Sequence, residues 1–176
     1  MKFKLDYYEN FDKSLLFWMA KFVKYKLTTL SNKELKNPEI LTKVQNALNS
    51  PKNITELSNL VKTARNAGLT GVNTYYNPLK KLYEILISYG FDSLKDIDEE
   101  ILSEALASAT GGLSDASKKN YRIAVLNFFD FIDRQNGENG ASHNFGIVLK
   151  NWGGISGNRA DKLPEFMNEA EINAFL

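Results

Sequence analysis

Apolar residues recur along this chain at three- and four-residue steps almost throughout, the spacing that lines one face of a helix. Leu15, Leu16, Met19, Phe22, Val23, Leu27 and Leu30 form such a stripe between Lys13 and Leu30, with Lys21, Lys24 and Lys26 largely outside it. Ser31-Asn32-Lys33-Glu34 has capping-box spacing, and Asn37-Pro38-Glu39 offers a second start with proline at the first helical position. From there Ile40, Leu41, Val44, Ala47 and Leu48 carry a helix to Ser50-Pro51. Asn53-Ile54-Thr55-Glu56 opens a third, built on Leu57, Leu60, Val61 and Ala64 and stopped at Gly68.

The next stripe, Leu79, Leu82, Tyr83, Leu86 and Ile87, ends at Tyr89-Gly90. Pro78 leaves its start open. Either Asn77 caps a helix beginning at Pro78, or the helix begins near Asn73 and bends at the proline. Asp98 opens a short acidic helix to about Ala107 that buries Ile101, Leu102, Ala105 and Leu106. After Thr110-Gly111-Gly112, Ser114 opens the most regular stripe, Tyr121, Ala124, Val125, Phe128, Phe129 and Ile132, which ends at Asn136-Gly137. Beyond it the pattern fades. Residues 137–141 read as a turn, 143–152 as a short helix at best, and Gly153-Gly154-Ile155-Ser156-Gly157-Asn158 as a linker. Asn168 then caps a helix that the sequence stops inside. The pattern predicts an all-α domain over 1–150, a linker over 151–162, and the first segment of a further domain over 163–176.

Composition narrows the chemistry. With 43% hydrophobic and 24% charged residues in 176, the chain is foldable and of one-domain size. No cysteine and one histidine, His143, exclude disulfides, thiolate metal sites, cysteine nucleophiles and multi-histidine centres. No apolar run reaches membrane-spanning length, and charge interrupts the start where a secretory signal would be greasy. A cytoplasmic protein without membrane contact is expected. Net charge is only +1, but residues 1–91 carry 14 Lys and Arg against 7 Asp and Glu, whereas residues 92–115 carry one against 7. Such a polarised chain has a basic side able to meet phosphate.

Most candidate chemistry fails on its own terms. The glycine-rich linker lacks the Gly-Lys-Ser/Thr ending of a phosphate loop. Asp96, Asp98, Glu99, Glu100 and Glu104 lack the spacing of a calcium loop and suit the positive end of a helix. His143 has no evident partner and is expected at the surface. None of the eight tyrosines has a basic cluster around it in sequence. No catalytic constellation, metal site or cofactor site is expected.

Two helix starts remain, and helix N-termini present unpaired N–H groups that bind phosphate. The first runs from Arg65 and Asn66 through Gly68-Leu69-Thr70 to Asn73 and Thr74, followed by Lys80 and Lys81. The second runs from Gly112-Leu113-Ser114 to Ser117, Lys118, Lys119, Asn120 and Arg122, the last four residues after Lys118 on one face. The plain alternative is two ordinary capped helices.

Gly112-Leu113-Ser114-Asp115-Ala116-Ser117-Lys118-Lys119-Asn120-Tyr121-Arg122, followed by Leu126-Asn127-Phe128-Phe129-Asp130-Phe131-Ile132, resembles the core-binding domain of tyrosine recombinases. Residues 162–172 resemble the segment that opens that family's catalytic domain. Arg65-Asn66-Ala67-Gly68-Leu69 with Asn73-Thr74-Tyr75, plus Thr110-Gly111-Gly112-Leu113-Ser114, is most similar to the Xer type that works as a single recombinase in epsilonproteobacteria. The resemblance implies a SAM-like helical bundle forming half of a C-shaped clamp on double-stranded DNA at dif-like sites. It implies further recombinase protomers in a synaptic tetramer, and a cell-division DNA translocase reached through the full-length protein. The family cleaves DNA through a 3′-phosphotyrosine, without divalent metal, using residues beyond this sequence, so the 176-residue chain is expected to be inactive. Where the family usually has Thr-x-x-x-Tyr, this chain has Asn73 and Asn77. Two other readings stand beside it: a phage or mobile-element integrase domain, or a helical protein–protein module. Phe17, Trp18 and Phe22 either fill the core or form part of a contact between protomers.

Overall fold

The structure is a computed structural model that describes residues 2–30 and 38–149. Six helices follow in order among the described residues: α1 (Phe11–Leu30), α2 (Pro38–Ala47), α3 (Ile54–Asn66), α4 (Val72–Ile87), α5 (Glu99–Thr110) and α6 (Asp115–Gln135). A single 3-10 turn, Leu94–Asp96, precedes α5. Pairing of extended backbone among these residues is limited to isolated bridges, Phe3 with Asn136 and Glu138 with Ala141. The expected capping box at 31–34, the Asn37 cap, the linker at 151–162 and the segment at 163–176 lie outside the described residues.

The helix boundaries follow from local chemistry. Asn53 caps α3, its Oδ1 accepting from the Glu56 N–H at 2.8 Å, and Asp98 caps α5 through the Ile101 N–H at 2.9 Å. Ser114 caps α6 through the Ser117 N–H at 3.2 Å. Helix α4 begins at Val72 and contains Pro78, so the start near Asn73 is the right alternative. Pro78 has no N–H to give the Thr74 carbonyl, and its ring is buried instead.

Helix α4 is central, packing against α1, α3, α5 and α6, and α1 in turn packs against α3 and α6. Phe22 meets Phe128 and Phe131 edge-on, with ring centroids 5.5 and 5.6 Å apart. Phe17, Trp18 and Phe22 are all buried; for these three, core packing is the answer. Their cover comes from the N-terminal segment. Tyr7 stacks on Phe17 at 4.0 Å, Phe3 packs against Phe17 and Trp18, and the Trp18 indole N–H donates to the Leu5 carbonyl at 2.8 Å. The α1 lysines also lie over neighbouring surface. Lys26 sits 4.2 Å from the Tyr75 ring centre, and Lys24 donates to Asn49 at 2.8 Å. Lys21 sits 4.8 Å from the Phe3 ring centre, its pKa lowered by burial and then by nearby Lys24.

Residues 143–149 are not helical, against the short helix expected there. They form no regular secondary structure, with Gly146 at φ 57° and Leu149 at φ 54°, and half-buried His143, Phe145 and Ile147 and buried Leu149 alternate with exposed Asn144, Gly146 and Val148. His143 is therefore no free surface residue. Its ring meets Phe145 edge-on at 4.5 Å, and its N–H donates to Asn136 Oδ1 at 2.8 Å.

Candidate nucleic-acid interface

Helices α3 and α4 each carry polar residues at i, i+4 and i+7, which places them along one face. These are Ser58, Lys62 and Arg65 on α3, and Asn73, Asn77 and Lys80 on α4. The two stripes border a cleft of about 360 Å³, with Val61 and Tyr76 completing its lining. Three of its lining residues are cations and none is a carboxylate. Tyr76 is buried, and its hydroxyl lies 2.6 Å from Ser58 Oγ. Burial pushes the Tyr76 phenol up to about 12, only partly opposed by the Ser58 hydrogen bond. At physiological pH it stays a neutral hydroxyl. The cleft thus combines positive charge with hydrogen-bonding amides and hydroxyls, a lining suited to an anionic oxygen such as a backbone phosphate.

The second helix start is built differently. The turns before α4 and α6 do share a device, a glycine at positive φ ahead of leucine: Gly68 at 120° and Gly112 at 84°. Leu69 then enters the core, whereas Leu113 is 38% exposed. No side chain caps α4, where Gly71 holds the N-cap position, while Ser114 caps α6 and also bonds Ser117 Oγ at 3.2 Å. Lys119 and Asn120 are exposed; Ser117 and Lys118 are half-buried. Arg122 has partners within the chain. Its guanidinium turns to segment 143–149, donating from Nε to the Leu149 carbonyl at 2.9 Å and from Nη2 to the Val148 carbonyl at 3.1 Å.

Of the residues expected at the first start, Arg65, Asn73 and Lys80 line the cleft; Asn66, Thr74 and Lys81 are exposed on the same elements but do not line it. Ser58, Lys62 and Tyr76 went unnoticed in the sequence, although the matching i, i+4, i+7 spacing of the two helices was a usable signal. A second hollow of about 360 Å³ beside the turn after α6 mixes Lys4 and Lys95 with Asp6 and Glu138, so its charges oppose one another. The acidic run is structural. Asp96 accepts from the Ser93 N–H at 3.2 Å, Asp98 caps α5, and Glu104 accepts from the Tyr89 hydroxyl at 3.2 Å. Among the described residues no group of His, Cys, Asp or Glu is placed to hold a metal ion.

Known proteins agree with this architecture. The profile of the phage integrase SAM-like domain matches residues 6–136, a stretch that takes in all six helices. The chain belongs to the phage integrase SAM-like domain family. Over its whole length it is 63% identical to the tyrosine recombinase XerH of Campylobacter jejuni, of which it covers 50%. It is 42% identical to XerH of Helicobacter pylori, covering 51% of that protein. The chain thus spans about half the length of the curated relatives it matches. A crystal structure of XerH bound to palindromic difH substrate, a post-cleavage complex, matches this SAM-like unit with a TM-score of 0.84. The match has 44% identity and covers 99% of this chain and 50% of that one. A pre-cleavage complex of XerH with difH matches at a TM-score of 0.81 and 42% identity, again over 99% of this chain and 50% of that one.

Proposed function

We propose that this helical unit grips duplex DNA at a dif-like site, as the non-catalytic half of a Xer-type tyrosine recombinase. The observation that carries the reading is the likeness, over 99% of the chain, to recombinase structures solved on difH substrate. The α3–α4 cleft supplies a physical reason, since it pairs three positive charges with neutral hydrogen-bonding groups and no acid. In the longer protein this half works with other protomers in a synaptic tetramer and with a cell-division DNA translocase, resolving chromosome dimers in the cytoplasm. Among the described residues no helix is long and apolar enough to cross a membrane. The 176-residue chain performs no strand cleavage itself.

A titration of dif-like duplex against scrambled duplex tests the reading. With about five phosphates neutralised, log K falls against log salt with a slope of about −4.5. Tighter binding to the dif-like duplex is expected. Equal affinity for both, or an affinity indifferent to salt, contradicts the proposal. A denaturant-resistant adduct on a nicked site would contradict the non-catalytic part.

A further inference from the structure

The irregular segment 143–149 is held by four side chains, each making two hydrogen bonds to its backbone. Asn136 takes both polar groups of His143, donating from Nδ2 to the carbonyl at 2.9 Å and accepting from the N–H at 2.8 Å. Asp133 accepts from the Phe145 N–H at 2.7 Å and the Gly146 N–H at 3.1 Å. Glu99, from the start of α5, accepts from the Val148 and Leu149 N–H groups at 2.9 and 2.6 Å. Arg122 donates to the carbonyls of the same two residues. Charge-assisted bonds of this kind are shorter and stronger than neutral ones. Leu149 is fully buried, and its φ of 54°, rare for a leucine, persists only where the surroundings over-determine it.

The direction of the segment matters. Phe145 and Gly146 are held at Asp133, and Val148 and Leu149 at Arg122, about 16 Å back along the helix. The segment therefore runs back along α6 toward the start of that helix. Leu149 ends beside Arg122, about 12 Å of helix from the Ser114 cap. The segment itself lies beyond residues 6–136, the stretch matched by the SAM-like family profile, whereas its four anchors lie within that stretch.

We propose that Glu99, Arg122, Asp133 and Asn136 are positioning residues that fix where the chain leaves the helical unit. Whatever follows Leu149 departs from a set point beside Arg122 and the first turn of α5, not from a free tether at the far end of α6. Its consequence for a clamp on DNA rests on the function proposed above; the strap and its anchors do not.

Amide hydrogen exchange on the 176-residue chain tests it, with Glu99→Ala, Arg122→Ala and Arg122→Lys as variants. The Val148 and Leu149 amides of the unaltered protein should exchange at least about tenfold more slowly than in an unstructured peptide. Glu99→Ala and Arg122→Ala should each erase most of that protection while the Phe128 and Phe129 amides of α6 keep theirs. Arg122→Lys, a single point donor that cannot span two carbonyls, should fall between and guards against a variant that fails to fold. Spin labels on Ala107→Cys and Val148→Cys, in a chain with no other cysteine, should give one narrow distance population that broadens with Glu99→Ala. Exchange at the unstructured rate in the unaltered protein, or a broad distance population there, overturns the proposal. So does Arg122→Ala that lowers duplex affinity while leaving the strap protected. Failure of the unaltered chain to bind duplex would overturn the proposed function alone, because neither exchange nor distance involves DNA.

Discussion

The starts of α4 and α6 read almost alike in sequence and have become different objects. Both follow a positive-φ glycine and a leucine. At α4 the leucine is buried and the neighbouring helix α3 supplies a second polar stripe, so Arg65 and Lys80 share a cleft with Lys62 and Tyr76. At α6 the leucine is partly exposed, the serine cap is engaged with Ser117, and the arginine two turns on is spent on residues 148 and 149. The lesson is that local sequence sets the turn, while the element packed alongside decides what the helix end can bind.

The largest expected effect comes from removing the cleft's charge. Lys62→Ala, Arg65→Ala and Lys80→Ala together should flatten the salt slope by about 3 and weaken duplex binding about 10²–10³-fold at 0.1 M salt. Circular dichroism should show unchanged helicity, because these side chains lie outside the core. At the other start, Lys118→Ala with Lys119→Ala should flatten the slope by about 2 at most, a loss of no more than about 60-fold. A larger loss there than in the cleft would reverse the ranking of the two regions.

Tyr76 separates the regions by pH. Its folded pKa of about 12 exceeds the ordinary value of 10.0, so its contribution to stability is complete below pH 10 and is lost as pH rises toward 12. Burial raises Tyr83 and Tyr89 in the same direction. Chemical denaturation at pH 9 and pH 11 should show a loss of about 1–2 kcal/mol attributable to Tyr76, absent in Tyr76→Phe. The smallest expected effect is Arg122→Ala on duplex affinity, which should match the unaltered chain in the same salt titration.

The helical stripes were legible because each needs only its own segment: the caps at Asn53, Asp98 and Ser114 all accept the hydrogen bonds their spacing announces. Pro78 left the α4 start ambiguous, since proline fits a first turn and is also tolerated where its ring is buried. Less was legible where partners are distant in sequence. The alternation of His143, Phe145, Ile147 and Leu149 is too short to separate strand from helix, and its anchor Glu99 lies about fifty residues away. The aromatic surplus of α1 could be assigned only with Phe3 and Tyr7 in place over it. In the same way half of the cleft was visible as Arg65, Asn73 and Lys80, but that the stripes of α3 and α4 border one cleft is a property of packing, which no single-helix pattern contains.

Two-dimensional amide NMR of the chain titrated with a dif-like duplex tests the central claim most directly, because it locates the contact without altering a residue. The largest shifts should fall on Ser58, Lys62, Arg65, Asn73, Asn77 and Lys80, with smaller ones at Ser117 to Asn120. The amides of Val148 and Leu149 should stay where they are. Large shifts confined to other surfaces, with the cleft unmoved, would contradict the account.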